Sequence, residues 1–245
     1  MKLTNDMELV EGLPVAYIRS LKAIVVSDMH LGYEGAAALR HGTMVPKVNL
    51  KKILSTLGEA LARHDAGTII VTGDIKNEFS TVSADEFNEL REFILFARAR
   101  SLRLVLIKGN HDNFVDRYGR AFGLELHSGE MAIGNYLFFH GDQMPKSAHR
   151  ATMLLMGHEH PAIGIYDAIR GRQRFRCFLH VPFGSAHILV MPAISYFAAG
   201  REINAAHETY ISPILRKAAM RRAKVYVIGA GATMYFGTLG QLSGI

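Results

Sequence analysis

Five short apolar runs in the first 160 residues stop in the same way, at a knot of glycine, carboxylate, amide and imidazole side chains. Val26-Ser27 leads into Asp28-Met29-His30, Val71-Thr72 into Gly73-Asp74, and Ile107-Lys108 into Gly109-Asn110-His111-Asp112. Phe138-Phe139 leads into His140-Gly141-Asp142, and Leu155-Met156 into Gly157-His158-Glu159-His160. Unbroken β-branched runs such as Ala23-Ile24-Val25-Val26 suit strands covered on both faces. In α/β sheets, ligands bind beyond the carboxyl ends of strands. Each fragment alone is commonplace, since a Gly-Asp after a strand is usually a turn. Five of the twelve histidines fall in these segments, and five unrelated turns do not explain that.

Between the runs lie helical patterns. Leu50, Ile53, Leu54, Leu57 and Leu61 mark one face of a helix over 47–63. A capping box from Ser83 to Glu86 opens a second helix that buries Phe87, Leu90, Phe93, Ile94 and Ala97. Strands are expected at 23–26, 68–72 and 102–107, then at 136–139, 153–156, 174–181, 188–191, 225–228 and 234–236. A further helix is expected near 213–224. Alternating strand and helix argues for an α/β layered core. No linker divides the chain, so one domain over 1–245 is expected, built from two packed sheets with helices outside.

Composition narrows the classes. Apolar residues make up 49% and charged residues 20%, which excludes general disorder. A net charge of +6 is compatible with a polyanionic partner but argues for one only weakly. The lone cysteine, Cys177, excludes an intrachain disulfide, and in this sequence reads as a small buried hydrophobe. The first eleven residues carry Lys2, Asp6, Glu8 and Glu11 and do not read as a signal peptide. Residues 225–245 hold no charge and are long enough to span a bilayer. Their five glycines, with Thr233, Thr238, Gln241 and Ser243, read instead as two short strands around Gly229-Ala230-Gly231. A cytoplasmic chain with no membrane partner is expected.

Oxygen and imidazole donors point to a pair of divalent cations such as Mn, Fe or Zn, and the near absence of cysteine argues against a structural zinc. On an extended segment Asp28 and His30 project the same way and can share one ion; His158 and His160 have the same spacing. Asn110 is an uncharged oxygen donor. One carboxylate has to bridge, and Asp74 is the best placed.

In order and type, these motifs resemble the calcineurin-like metallophosphoesterase superfamily: Asp-x-His, Gly-Asp, Gly-Asn-His-Asp, His-Gly and Gly-His-x-His over 28–160. The resemblance implies a four-layer α/β/β/α sandwich with two mixed sheets and a dinuclear metal centre. It implies that Asp28, His30, Asp74 and His160 hold one ion and that Asp74, Asn110, His140 and His158 hold the other. Mn is the first choice, with Fe, Zn, Ni and Mg as alternatives. His111 takes the place of the family's catalytic histidine, which holds no metal. A hydroxide shared by the ions would attack phosphorus, with His111 protonating the leaving oxygen or holding a non-bridging one. Asp112 either orients His111 or sits in a surface turn. Asp28-Met29-His30-Leu31-Gly32, Arg40-His41-Gly42, Pro46 and Gly157-His158-Glu159-His160-Pro161 further resemble the prokaryotic ICC-like phosphoesterases, a branch that includes ligase-associated DNA-repair endonucleases. Asp142 departs from that pattern, where a histidine is common; the departure removes no expected ligand but leaves the polarity of the substrate mouth open.

Several signals stay open. Arg170, Arg172, Arg174 and Arg176 alternate along an expected strand, either as a phosphate-neutralising stripe or as a solvated, edge-protecting face. Arg216, Lys217, Arg221, Arg222 and Lys224 read as a solvated helix face. His180 and His187 read as core or turn histidines; His149 and His41 could border the site or a loop. The eleven methionines are scattered core filler. The expected function is a metal-dependent phosphodiesterase acting on a phosphodiester, with DNA and RNA among the candidates. A small or cyclic nucleotide phosphodiesterase or phosphatase is the alternative, and an inactive scaffold is the third reading. Nothing in the sequence supports or excludes a homodimer.

Overall fold

The computed structural model describes residues 1–42, 45–79, 82–167, 171–205 and 209–243, without the side chains of 40, 41, 117, 118, 120, 121, 166 and 167. The first sheet has six strands in sequence order: β1 (Met7–Leu9), β2 (Ala16–Ile18), β3 (Ala23–Val26), β4 (Thr68–Thr72), β5 (Arg103–Lys108) and β6 (Glu125–Ser128). β1 to β3 are antiparallel and β3 to β6 are parallel, so β3, β4 and β5 all end at one edge. Helices α1 (Tyr33–His41), α2 (Asn49–Arg63), α3 (Ala84–Arg98) and α4 (Val115–Phe122) lie in the crossovers. The Ser83 box is formed as expected: its side chain accepts from Glu86 N, and Glu86 accepts from Ser83 N.

The second sheet has nine strands: β7 (Glu130–Ile133), β8 (Tyr136–Phe139), β9 (Met153–Met156), β10 (Pro161–Asp167), β11 (Gly171–Phe183), β12 (Ala186–Val190), β13 (Arg201–Glu202), β14 (Lys224–Gly229) and β15 (Ala232–Thr238). β8, β9 and β12 run parallel; the remaining pairs are antiparallel, except β10 with β13. The two mixed sheets pack face to face over a core that includes Ile18, Val25, Ile107, Phe138, Leu155, Phe178 and Leu189. Burying each such side chain contributes about 1.5–3 kcal/mol. α2 and α3 cover the outer face of the first sheet through Ile53, Leu57, Phe93 and Ile94.

The outer face of the second sheet is covered differently. The helix expected near 213–224 is absent; two single 3-10 turns, Leu215–Lys217 and Met220–Arg222, stand there with helix α5 (Leu239–Leu242). They press Ile214, Leu215, Met220 and Leu239 into the core beneath. β14 already begins at Lys224, so too little chain remains for a regular helix. The basic cluster at 216–224 is therefore divided between two turns and a strand. The architecture is the α/β/β/α sandwich with a thin fourth layer. The uncharged 225–243 stretch forms the β14–β15 hairpin and α5, and no described helix is long and apolar enough to cross a membrane.

Candidate metal centre

The structure gathers all seven sequence-predicted donors at the edge where β3, β4, β5, β8 and β9 end. Asp28 and His30 follow β3, Asp74 follows β4 and Asn110 follows β5. His140 follows β8, and His158 and His160 follow β9. Three clusters have ligand atoms close enough to share an ion: Asp28 with His30 and His160, Asp74 with His140 and His158, and His30 with Asp74 and His111. Asp74 and His30 each belong to two of these clusters.

The distances explain why a cation fits. His140 Nδ1 lies 3.0 Å from the Thr72 carbonyl, which can only accept, so Nδ1 carries the proton. Its Nε2 then faces Asn110 Oδ1 at 3.1 Å, His158 Nδ1 at 3.1 Å and Asp74 Oδ2 at 3.2 Å. Four lone-pair atoms converge, and a single extra proton on the ring could satisfy only one pair of them. In the other cluster His160 Nε2 lies 3.1 Å from Asp28 Oδ1 and 3.4 Å from His30 Nε2. Such donor-rich, proton-poor convergence suits divalent ions with mixed N and O ligation.

The local backbone differs from expectation. Asp28, His30, Asp74, His158 and His160 all have positive φ, between 44° and 66°. The two-residue spacings work through left-handed turns, not through an extended strand. Left-handed backbone costs of order 1–3 kcal/mol per non-glycine residue and persists only where its surroundings enforce it. Those surroundings are visible: Asp28 N and His30 N donate to Gly73 O and Asp74 O, and Asp28 accepts from His158 N. Gly73 and Gly109 let chains approach closely, since a Cβ would strike the His140 ring at one and the Asp74 carboxylate at the other.

Sequence reasoning missed several supports. Asn49 donates to Met29 O and His30 O and accepts from Ser195 Oγ and Tyr196 N, tying two loops together. Its signal was its position: it continues the buried stripe of Ile53, Leu57 and Ala60 with a polar side chain. Glu159, between the two histidines, accepts from Ile211 N and Ser212 N. Asp112 is fully buried and accepts from Gly109 N, Ile75 N and Lys76 N. It is no surface turn, and its bonds hold the β4 and β5 loops, not the His111 ring.

Residues 21–160 match the family described as calcineurin-like phosphoesterase. The chain belongs to that family. It is accordingly a hydrolase of phosphate esters that works with divalent metal ions. No curated protein matches it in sequence. Among solved structures it resembles the Pseudomonas putida nuclease MPE, at 19% identity, with 93% of each chain covered and a TM-score of 0.63. It also resembles YfcE, a phosphoesterase from E. coli, at 13% identity, with 90% of this chain and 94% of that one covered and a TM-score of 0.42.

The electrostatics of the phosphoesterase site follow from burial and neighbours. Burial alone would raise the Asp28 carboxyl, but His160, His140 and His30 around it hold it below the ordinary range. Asp74 is likewise held low against burial, chiefly by its bond to His140. Burial, then the neighbouring His160, pushes His30 down to about 4; burial and His140 push His158 to about 4. Both rings are thus neutral near pH 7, whereas against burial the bond to Asp74 pulls His140 up to about 10 and Asp28 holds His160 above its ordinary value. Burial and Asp74 push Asp112 up to about 7.

Other candidates are scattered. His149 is exposed and contacts Arg150. The His41 side chain and Arg170 lie outside the described residues. His180 and His187 stack at 4.6 Å on the second sheet, at the far ends of its strands. Asp142 lines a cavity of about 550 Å³ beside Asn110 and His140, with Lys108 and Lys146. Among the described residues of the arginine stripe, Arg172 pairs with Glu202, Arg174 donates to Gly200 O, and Arg176 donates to Ala193 O and Ser195 O.

Proposed function

We propose that this hydrolase is a metal-dependent phosphodiesterase with a dinuclear centre and that residues 1–245 act as one catalytic domain. Asp28, His30, Asp74 and His160 would hold one ion, and Asp74, Asn110, His140 and His158 the other, with Mn the first choice. The supporting observation is the approach of Asn110, His158 and Asp74 to one imidazole nitrogen of His140, with Asp74 shared between clusters. Bound divalent ions supply a nucleophile from water near neutral pH and offset charge building on the phosphate oxygens.

The protein's own part is positioning. Asp74 is fixed by His111 N, which donates to Oδ1 at 3.0 Å and leaves Oδ2 turned to the centre. His111 Nδ1 lies 2.6 Å from the Asn77 carbonyl and is therefore its donor. That bond orients Nε2, 3.7 Å from Asp74 Oδ2, towards the cluster. From there His111 protonates the leaving oxygen or holds a non-bridging one, a role worth about 10²–10⁴-fold.

A Mn²⁺ assay with an EDTA control tests this, using bis-p-nitrophenyl phosphate, p-nitrophenyl phosphate, cyclic nucleotides, and single- and double-stranded DNA and RNA. EDTA-sensitive diester turnover is expected, with polynucleotides among the substrates. Hydrolysis confined to monoesters would overturn the diesterase reading. Diester turnover without cleavage of any polynucleotide would assign the centre to small or cyclic nucleotides.

A further inference from the structure

The segment 193–201 is strung across the Asp28, His30 and His160 side of the centre. Ile194 N and Ser195 N donate to Ser27 O and Asp28 O at 2.9 and 3.2 Å, and Arg201 N donates to His160 O at 2.6 Å. Arg176 and Arg174 brace it from the sheet below through the carbonyls of Ala193, Ser195 and Gly200. So held, the segment displays a ladder of rings. Tyr33, whose N–H donates to His30 O, stacks on Phe197 at 4.9 Å and 13°. Phe197 meets Tyr196 edge-on at 5.3 Å and 82°. Tyr196 is 50% exposed, and Lys52 Nζ lies 5.7 Å from its ring centre.

The ladder ends at a pocket of about 490 Å³ whose largely apolar lining also carries Lys52, Thr56, Arg174, Arg176 and Tyr196. None of its described lining residues is a carboxylate; the neighbouring Glu202 reaches Arg174 only at 3.9 Å. Cations without acids select an anion, and an exposed ring beside them selects one that can stack. Bases in a duplex are already stacked on each other, so a single strand is the better fit. The pocket lies two ring-to-ring steps, of 4.9 and 5.3 Å, beyond Tyr33.

We propose that Tyr196, Lys52 and Arg174 form a track for single-stranded nucleic acid running outward from the His30 side of the centre. Tyr196 stacks a base, while Lys52 and Arg174 take flanking phosphates. The proposal rests on the phosphodiesterase reading and extends it to a substrate class.

Fluorescence anisotropy of labelled dT12, U12 and a dT12–dA12 duplex tests it, on the Mn²⁺-loaded protein and after EDTA, beside bis-p-nitrophenyl phosphate turnover by the same preparations. Tyr196→Ala should weaken single-strand binding by about 5- to 150-fold, as loss of one stacked base does. Tyr196→Phe keeps the ring and should bind within about twofold of wild type. Lys52→Ala should weaken dT12 and U12 alike and lower the slope of log K against log salt by about 0.7. Equal binding by Tyr196→Ala and wild type, or tighter binding of a duplex than of a single strand, would overturn the track. A wild type that turns over no chromogen would defeat the diesterase reading, while the anisotropy series still decides the track.

Discussion

The two sheets bring different chemistry to the same edge. The first supplies the negative charge and the amide oxygen, through Asp28, Asp74 and Asn110, with His30 and His111. The second supplies only imidazoles, His140, His158 and His160. Alone, the first would hold two repelling carboxylates, and the second three rings with nothing to balance a cation. Only packing of the two sheets brings the candidate set together. Their outer faces differ too: α2 and α3 cover one, and 3-10 turns with a four-residue helix cover the other.

Asp74 joins both halves, so it carries the largest expected effect. Asp74→Ala should lose bound metal, read by elemental analysis, and fall to the activity of EDTA-treated wild type. Retention of two ions would break the idea that a first-sheet carboxylate unites the halves. Next comes His111→Ala, which should keep its metal yet lose about 10²–10⁴-fold in turnover of diesters with poor leaving groups. Full activity in a metal-replete variant would remove His111 from the chemistry. Stability tests the outer layers. Leu215 is fully buried beneath the 3-10 turns, so Leu215→Ala should cost about 2–5 kcal/mol in urea denaturation, like Ile53→Ala under α2. A loss well under 1 kcal/mol would show the thin layer to be dispensable.

The smallest effect concerns His180. Burial, then His187 and Lys224 beside it, pushes its ring down to about 4. The unfolded chain takes up that proton near 6.5, so acid favours unfolding through this window and the native state is favoured above it. His180→Phe should lose less stability than wild type between pH 7.5 and 5. His30 and His158 titrate in the same direction and leave part of the acid sensitivity in place. An identical pH dependence in both proteins would refute the assignment.

The candidate donors were legible because their residue types are rare together and each follows a short apolar run of the kind that forms a buried strand. The first sheet was legible for the same reason, its helices reading through Leu50 to Leu61 and the Ser83 box. The thin layer was not: Arg216 to Lys224 repeats at helical spacing, yet β14 pairing claims Lys224 and tertiary packing overrides the local pattern. Nor could spacing reveal that Asp28 and His30 lie in left-handed turns, which cross-chain hydrogen bonds impose. The roles of Asn49 and Asp112 were hidden because their partners are backbone amides and carbonyls, which carry no sequence signature.

The left-handed turns also act as a filter on substitution. At Asp28, His30, Asp74, His158 and His160 a replacement must satisfy the chemistry and tolerate positive φ. β-branched residues fail the second condition before the first is considered. Asparagine and aspartate tolerate this backbone best among the polar residues. Attempts to retune the metal preference by exchanging donors should therefore begin at Asn110 and His140, which have no positive φ.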